Sequence, residues 1–393
     1  MENKTEVDFF DNENWYLTKY LLSIFGGWPF QQASITRTIR RSILIFLWTS
    51  TFLPLLFKLF NNFGNIELVL ICLSQLFLHI MTLTYTVYSI LNSDKEKILL
   101  NKIKKQFEFK LSNNDRKFFE YYTYYNRKII YGYTISFYIV VLAGLTLVTV
   151  PVLLNNLFSS NVSSTPTYIF EVDYLFFDYL DYENLIFLNA WMSILCQTTI
   201  LIAFDCLYSQ LTYFISSWFY VIGNRMKYLT NNSKEINKKQ QYDLFNKYIE
   251  EHERVLKFAS DVQSIYSYPL FILICIQMLT ISVTGCNIMS ESINYADLLR
   301  YVCYIMVQFI HLFFLCWHGQ VLIDNSENLS KIICQMNWYV LPNNIKKLLI
   351  LIIMRSSYPC TLVAGKFLVM SFESFAQIVK TSVSYFTVLS SVN

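Results

Sequence analysis

Apolar residues in this chain gather into long uncharged stretches separated by short charged ones, a pattern that predicts membrane-crossing helices. The first stretch runs from Ser42 to Phe57, between Arg41 and Lys58, and the second from Leu68 to Ser93, between Glu67 and Asp94. A third begins at Ile129, after Lys128, and meets no charge until Glu171. A fourth lies between Glu183 and Asp205 and continues past that carboxylate to Asn224. Two more run from Val262 to Ser290 and from Tyr301 to Ile323. Crossing about 30 Å of hydrocarbon takes roughly 20 apolar residues in a helix, within a range of about 17–25. The first stretch lies at the lower limit of that range, and the others meet it. Helices are expected because lipid offers no partner to a bare backbone group. The seventh span is broken. Ile345 to Ile353 is apolar but short, Arg355, Pro359 and Gly365 interrupt it, and an apolar run resumes from Lys366 to Val388. That pattern predicts a half-helix outside the membrane, a break near Pro359, and then a crossing helix.

Composition agrees. The 393 residues are 54% hydrophobic and 18% aromatic but only 15% charged, against roughly 25% charged in soluble domains. No cleavable signal peptide is expected, since Trp15, Tyr20, Leu21 and Phe25 near the start are interleaved with charges. Nine cysteines, including Cys72, Cys196, Cys206, Cys275, Cys303 and Cys316, follow neither disulfide-framework nor zinc spacing. His79, His252, His311 and His318 form no ligand pair beyond His311 and His318, two turns apart, and read as packing.

Orientation follows from the cations, because positively charged loops stay in the cytoplasm. Lys4, Lys19, Arg37, Arg40 and Arg41 precede the first span. Ten Lys and Arg lie from Lys95 to Lys128, and eight from Arg225 to Lys257. The alternate loops hold Lys58, no cation from Pro151 to Asn189, and Arg300. The expectation is an all-α integral membrane protein of seven transmembrane helices, N-terminus cytoplasmic and C-terminus extracellular. A G-protein-coupled chemoreceptor would have the opposite orientation, and neither its Asp-Arg-Tyr nor its Asn-Pro-x-x-Tyr signature is found. A transporter would show repeated halves and paired midplane charges, whereas the spans here hold few ionisable groups. No nucleotide loop, nucleophile elbow or metal-ligand cluster is found, so neither enzyme activity nor a cofactor is expected.

Several motifs carry a family likeness. The C-terminal segment holds Ala364-Gly365-Lys366-Phe367, then Phe375, Ile378, and Lys380-Thr381-Ser382-x-Ser384-Tyr385-Phe386-Thr387-Val388-Leu389. Upstream come Cys316-x-x-Gly319, Ser326, Trp338 and Arg355-Ser356-x-x-Pro359, with Gly27-Trp28-Pro29 near the start. Together these resemble the insect odorant receptor family over essentially the whole chain, most strongly after Leu315. Cys334 departs from the family, which often has Tyr there. Ser384-Tyr385-Phe386-Thr387 differs from the tail of the sister gustatory-type receptors. The loop from Asn224 to Lys257 is shorter than in the odorant receptor co-receptor, which favours a ligand-tuning subunit.

The resemblance implies a multi-pass plasma membrane protein of sensory dendrites. Its partners would be the odorant receptor co-receptor, a volatile organic ligand, membrane lipid and permeant cations, with no nucleic acid. It implies a tetramer whose seventh helices line a central pore. Val388 and Val392 match the family's hydrophobic gate; they lie one turn apart on one face, and an aliphatic ring can close a narrow pore by dewetting. Ser384 and Thr381 continue that face. Glu373 and Lys380 share a face of the same helix, and Asp205 reads as a polar contact inside the bundle. An outer-half pocket should be apolar with one or two polar groups. Its candidates are Tyr301 and Tyr304, then Leu78, Met81 and Thr82, then Val141, Gly144 and Val148, with Cys196 and Ile200. Acidic Glu171, Asp173, Asp178, Asp181 and Glu183 would attract cations to an outer mouth. Asn161-Val162-Ser163 is a glycosylation sequon on the outer side; Asn231-Asn232-Ser233 would be cytoplasmic and unused. The expected divisions are 1–41, a cytoplasmic N-terminal segment; 42–324, six helices with the pocket; 325–365, a cytoplasmic loop and half-helix forming an anchor; and 366–393, the pore-lining helix.

Overall fold

The computed structural model describes residues 9–108, 113–158, 170, 172–174, 182–232, 236–289 and 295–392. Asn161, Glu171, Asp178 and Asp181 fall outside them. Among the described residues the chain is helical apart from one small hairpin and short connections. The helices are α1 (Tyr16–Ile24), α2 (Ile35–Asn61), α3 (Ile66–Glu108), α4 (Asn113–Phe158), α5 (Glu183–Asn231), α6 (Lys238–Ile288), α7 (Tyr295–Gln335), α8 (Asn343–Ser356) and α9 (Phe372–Val392). The strands are β1 (Val363–Ala364) and β2 (Leu368–Val369), paired antiparallel.

Helices α2 to α7 are each long and apolar enough to cross a membrane, and α9 is the seventh crossing. The 49 residues of α5 span roughly 74 Å at about 1.5 Å per residue, more than twice the hydrocarbon thickness. The long helices therefore continue well beyond their apolar stretches as charged rods, which ion pairs join. Arg225 of α5 pairs with Asp115 of α4 at 2.9 Å and with Glu251 of α6. Lys102 of α3 reaches Asp261 of α6 at 2.6 Å.

The bundle is ordered around α5, in which every residue from Ile200 to Phe219 is buried. A helix buried on all sides occupies the centre. Small and hydroxyl residues let neighbours approach closely, and several of their hydroxyls are satisfied within the helix. Thr212 donates to the Tyr208 carbonyl at 3.0 Å and Ser216 to that of Thr212 at 2.9 Å. Large apolar side chains such as Ile39, Phe46, Leu53, Ile90 and Ile139 are instead exposed on the outer helices. That is the surface lipid requires.

The N-terminal segment packs onto this bundle. Phe10, Trp15 and Trp28 are buried, with the Phe10 ring centroid 5.2 Å from that of Trp15 and 5.4 Å from that of Trp28. Ser34 caps α2 by accepting from the Arg37 N–H, and the Arg37, Arg40 and Arg41 side chains donate to carbonyls of Gly26, Gln31 and Ser23.

The seventh crossing departs from the expected boundary. Its helix begins at Phe372, not Lys366, because residues 363–369 form the hairpin. Gly365 and Lys366 turn with φ of 58° and 70°, a left-handed conformation that suits glycine. The hairpin backbone is bound by α6 rather than continuing a helix. Gln263 donates to the Val363 carbonyl at 2.6 Å and accepts from its N–H at 2.8 Å, and the Gly365 N–H donates to Ser267 O at 2.9 Å. Farther along, Ser282 of α6 donates to the Ser382 carbonyl of α9 at 2.9 Å. Helix α6 thus carries α9 along its length.

Candidate ligand-binding site

A partly open cavity of about 140 Å³ lies among α3, α4, α5 and α7, toward the end of the bundle where α2 turns into α3. Each helix presents one stripe to it. Helix α3 gives Ser74, Gln75 and Leu78; α4 gives Val141, Gly144, Val148 and neighbours; α5 gives Ile194, Thr198 and Leu201. Helix α7 gives Tyr301, Tyr304, Gln308 and His311, spaced three, four and three residues apart as one helical face requires. Phe170, from the segment between α4 and α5, closes one side.

Six of the ten residues singled out from the sequence lie on this wall: Leu78, Val141, Gly144, Val148, Tyr301 and Tyr304. Four do not. Met81 and Thr82 sit one turn farther along α3, beyond the end of the cavity, fully buried, with the Thr82 hydroxyl donating to the His79 carbonyl at 3.0 Å. Cys196 and Ile200 are on other faces of α5, because roughly 100° separates successive residues and Ile194, Thr198 and Leu201 occupy the cavity side.

The polar features are few and fixed. Tyr304 donates to the Ser74 carbonyl at 2.8 Å, joining α7 to α3. Arg300 donates to the Tyr301 hydroxyl at 3.2 Å, its guanidinium 4.9 Å from that ring's centroid, and pairs with Asp297 at 3.0 Å. At the inner end, His311 leads into a buried network. Asp205, with no exposed surface, accepts from Tyr85 at 2.7 Å and from Tyr133, and its carboxylate lies 3.3 Å from His311 Nε2. Gln277 of α6 donates to the Gln308 carbonyl at 2.5 Å, which sets its Oε1 3.2 Å from His311 Nδ1. Asp205 is therefore the polar centre at which α3, α4, α5 and α7 meet, and His311 connects it to α6 and to the cavity.

Sequence reasoning treated His311 as packing and passed over Gln308. Their signal was present: continuing the Tyr301 and Tyr304 stripe by four and then three residues reaches both. Phe170 carried no such signal, since no helical period leads to it.

On α9, Ile378 and Ser382 are buried, while Ser384 and Val388 are exposed and Thr381 is half-buried. Val392 is the last residue of that helix. Glu373 and Lys380 are exposed.

Seven membrane-crossing helices thus surround a partly open, mostly apolar cavity with a few fixed polar groups. The family model described as 7tm Odorant receptor matches residues 65–383, and the chain belongs to that family. Among curated relatives, Odorant receptor 10 of Aedes albopictus is 28% identical over 146 residues, covering 36% of this chain and 38% of that protein. Odorant receptor 13a of Drosophila melanogaster is 24% identical over 211 residues, 50% of each. The matched stretches thus span half or less of these relatives' lengths. The structure of the insect olfactory receptor OR5 from Machilis hrabei, in complex with eugenol, superposes with a TM-score of 0.78 at 18% identity, covering 96% of this chain and 98% of that one. That likeness extends the shared fold to nearly the whole chain.

Proposed function

We propose that this chain is a ligand-tuning odorant receptor subunit, binding a volatile molecule in the cavity and gating a non-selective cation channel together with the odorant receptor co-receptor. The observation that carries this reading is the cavity itself: mainly apolar, set among four helices, and joined by His311 and Gln277 to the helix that holds α9. An apolar cavity of about 150 Å³ is enough to hold benzene, so one of about 140 Å³ suits a single-ring or short aliphatic volatile. Eugenol, the occupant of the Machilis hrabei receptor, is of that single-ring class.

By the distribution of cations the N-terminus is cytoplasmic, which puts the cavity in the outer half of a plasma membrane protein. The face of α9 bearing Thr381, Ser384 and Val388 is turned away from α6 and available to line a shared pore, with Val388 and Val392 as its gate. Ligand opens that gate only by binding the open arrangement more tightly than the closed one. The path runs from His311 through Gln277 to α6, and from Ser282 to the backbone of α9. Exposed Trp338, Tyr339, Ile350 and Leu351 around α8 supply the contact between subunits.

The test is whole-cell recording from cells co-expressing this chain and the co-receptor. A panel of single-ring and short aliphatic volatiles evokes cation currents. Tyr304→Ala shifts the half-effective concentrations and leaves ion selectivity alone. Surface-expressed protein that stays silent to the whole panel contradicts the reading.

A further inference from the structure

Behind Phe170 lies a second, much smaller cavity of about 10 Å³, bordered by Thr51, Val172, Tyr174, Ile186, Phe187 and Ala190. Phe170 lines both cavities and is the one described residue they share, so its ring stands between them on the described side. It is 5% exposed and packs with Leu145 and Val148 of α4 and Ala190 of α5, its ring centroid 5.5 Å from that of His79. The segment that follows it is pinned to α2. The Asp173 N–H donates to the Pro54 carbonyl at 3.2 Å, and Lys58 donates to the Asp173 carboxylate at 3.1 Å.

Thr51, which borders the small cavity, leads into a polar cluster whose other members, His79, Ser193 and Gln197, line neither cavity. The Thr51 hydroxyl lies 2.9 Å from His79 Nε2 and 3.0 Å from the Ser193 hydroxyl, and Gln197 donates to Ser193 at 3.0 Å. Gln197 is 2% exposed, and its amide oxygen has no hydrogen-bond partner among the described residues. A buried acceptor left without a donor is rare and costly. The cluster that Thr51 joins to the small cavity therefore holds one acceptor that no donor among the described residues meets.

We propose that Phe170 sets the length limit of the ligand site, and that behind it lies a latent subsite for the hydroxyl end of a longer ligand. This rests on the reading of the main cavity as the odorant site. With Phe170 in place the site takes one ring. With the ring removed the two chambers join, and an ω-phenylalkanol places its ring in the main cavity and its hydroxyl beside Thr51, the polar side chain that borders the smaller one.

The probes are benzyl alcohol, 3-phenylpropan-1-ol and 5-phenylpentan-1-ol, each with its methyl ether, read as ligand-induced shifts in melting temperature of the purified full-length protein. The wild type is stabilised best by the shortest member. Phe170→Ala moves the optimum to a longer one, changing the ratio of long to short half-effective concentrations by at least about tenfold, the low end of what one methylene discriminates in an apolar pocket. Phe170→Leu gives the same direction with a smaller change and serves if the alanine variant folds poorly. Adding Thr51→Val to either variant removes the preference for alcohol over ether. An optimum that stays put, or a uniform loss across the series, overturns the proposal. Gly144→Val, confined to the main cavity, separates the two failures. If it blunts binding while Phe170 variants do not shift the optimum, only the role of Phe170 is lost. If it too is without effect, the odorant reading of the cavity falls.

Discussion

Asp205 shows what a single residue does in this fold. A lone carboxylate in an apolar span must pair with something inside the bundle, because facing lipid costs at least about 2.5–3.5 kcal/mol. That much was legible from its place between Leu201 and Tyr208. Its partners were not: they stand 120, 72 and 106 positions away at Tyr85, Tyr133 and His311, and only the packing of four helices unites them. Asp205→Ala leaves those donors without their acceptor at a site with no exposed surface. Breaking such a buried arrangement costs about 3–5 kcal/mol, so the variant should melt many degrees lower in detergent, by size-exclusion thermostability. A loss under about 1 kcal/mol would mean that the donors find other acceptors and that Asp205 does not organise the centre. Tyr301 and Tyr304 were legible for a different reason, since two aromatic residues one turn apart mark a face without help from any other helix.

Among the elements, the hairpin before α9 is the one the pattern of apolar positions misplaced. Pro359 and Gly365 signalled a break, but strands of two residues are too short to show alternation, so the apolar run from Lys366 read as helix. The competing demand is hydrogen bonding from α6, which takes the backbone groups of Val363 and Gly365. Gly365 is required twice over. Its φ is 58°, and a Cβ there would lie 2.5 Å from Phe271 Cγ. Gly365→Ala should therefore destabilise by about 1–3 kcal/mol, the range for strained backbone positions. Combining it with Phe271→Ala should recover the part due to the ring, while Phe271 Cβ, 2.8 Å from the added carbon, and the backbone strain remain. A double-mutant thermal-melt cycle that shows simple additivity would remove Phe271 from this explanation.

For the whole molecule, seven crossings were readable because membrane-spanning stretches are set by one length scale and one exclusion of charge. Helix ends were not, since charge marks where lipid stops and not where a helix stops. Helix α3 runs on to Glu108 through a charged segment that packs by Lys102 and Asp261. The cavity was half legible: stripes on α3, α4 and α7 could be projected from helical periodicity, while the facing side of α5 and the loop residue Phe170 depended on how the helices turn toward one another. The central claim is that occupancy of this cavity opens the channel, and Gly144 offers the most direct test. A Cβ at Gly144 would meet Cys303 Cβ at 3.5 Å, an ordinary contact, so the first carbon of the Gly144→Val side chain fits and its methyls should take up cavity space. In cells co-expressing the co-receptor, concentration–response curves for the largest active volatile should shift by at least about tenfold, with surface level and reversal potential unchanged. An unchanged half-effective concentration, or a changed reversal potential in its place, would contradict the account.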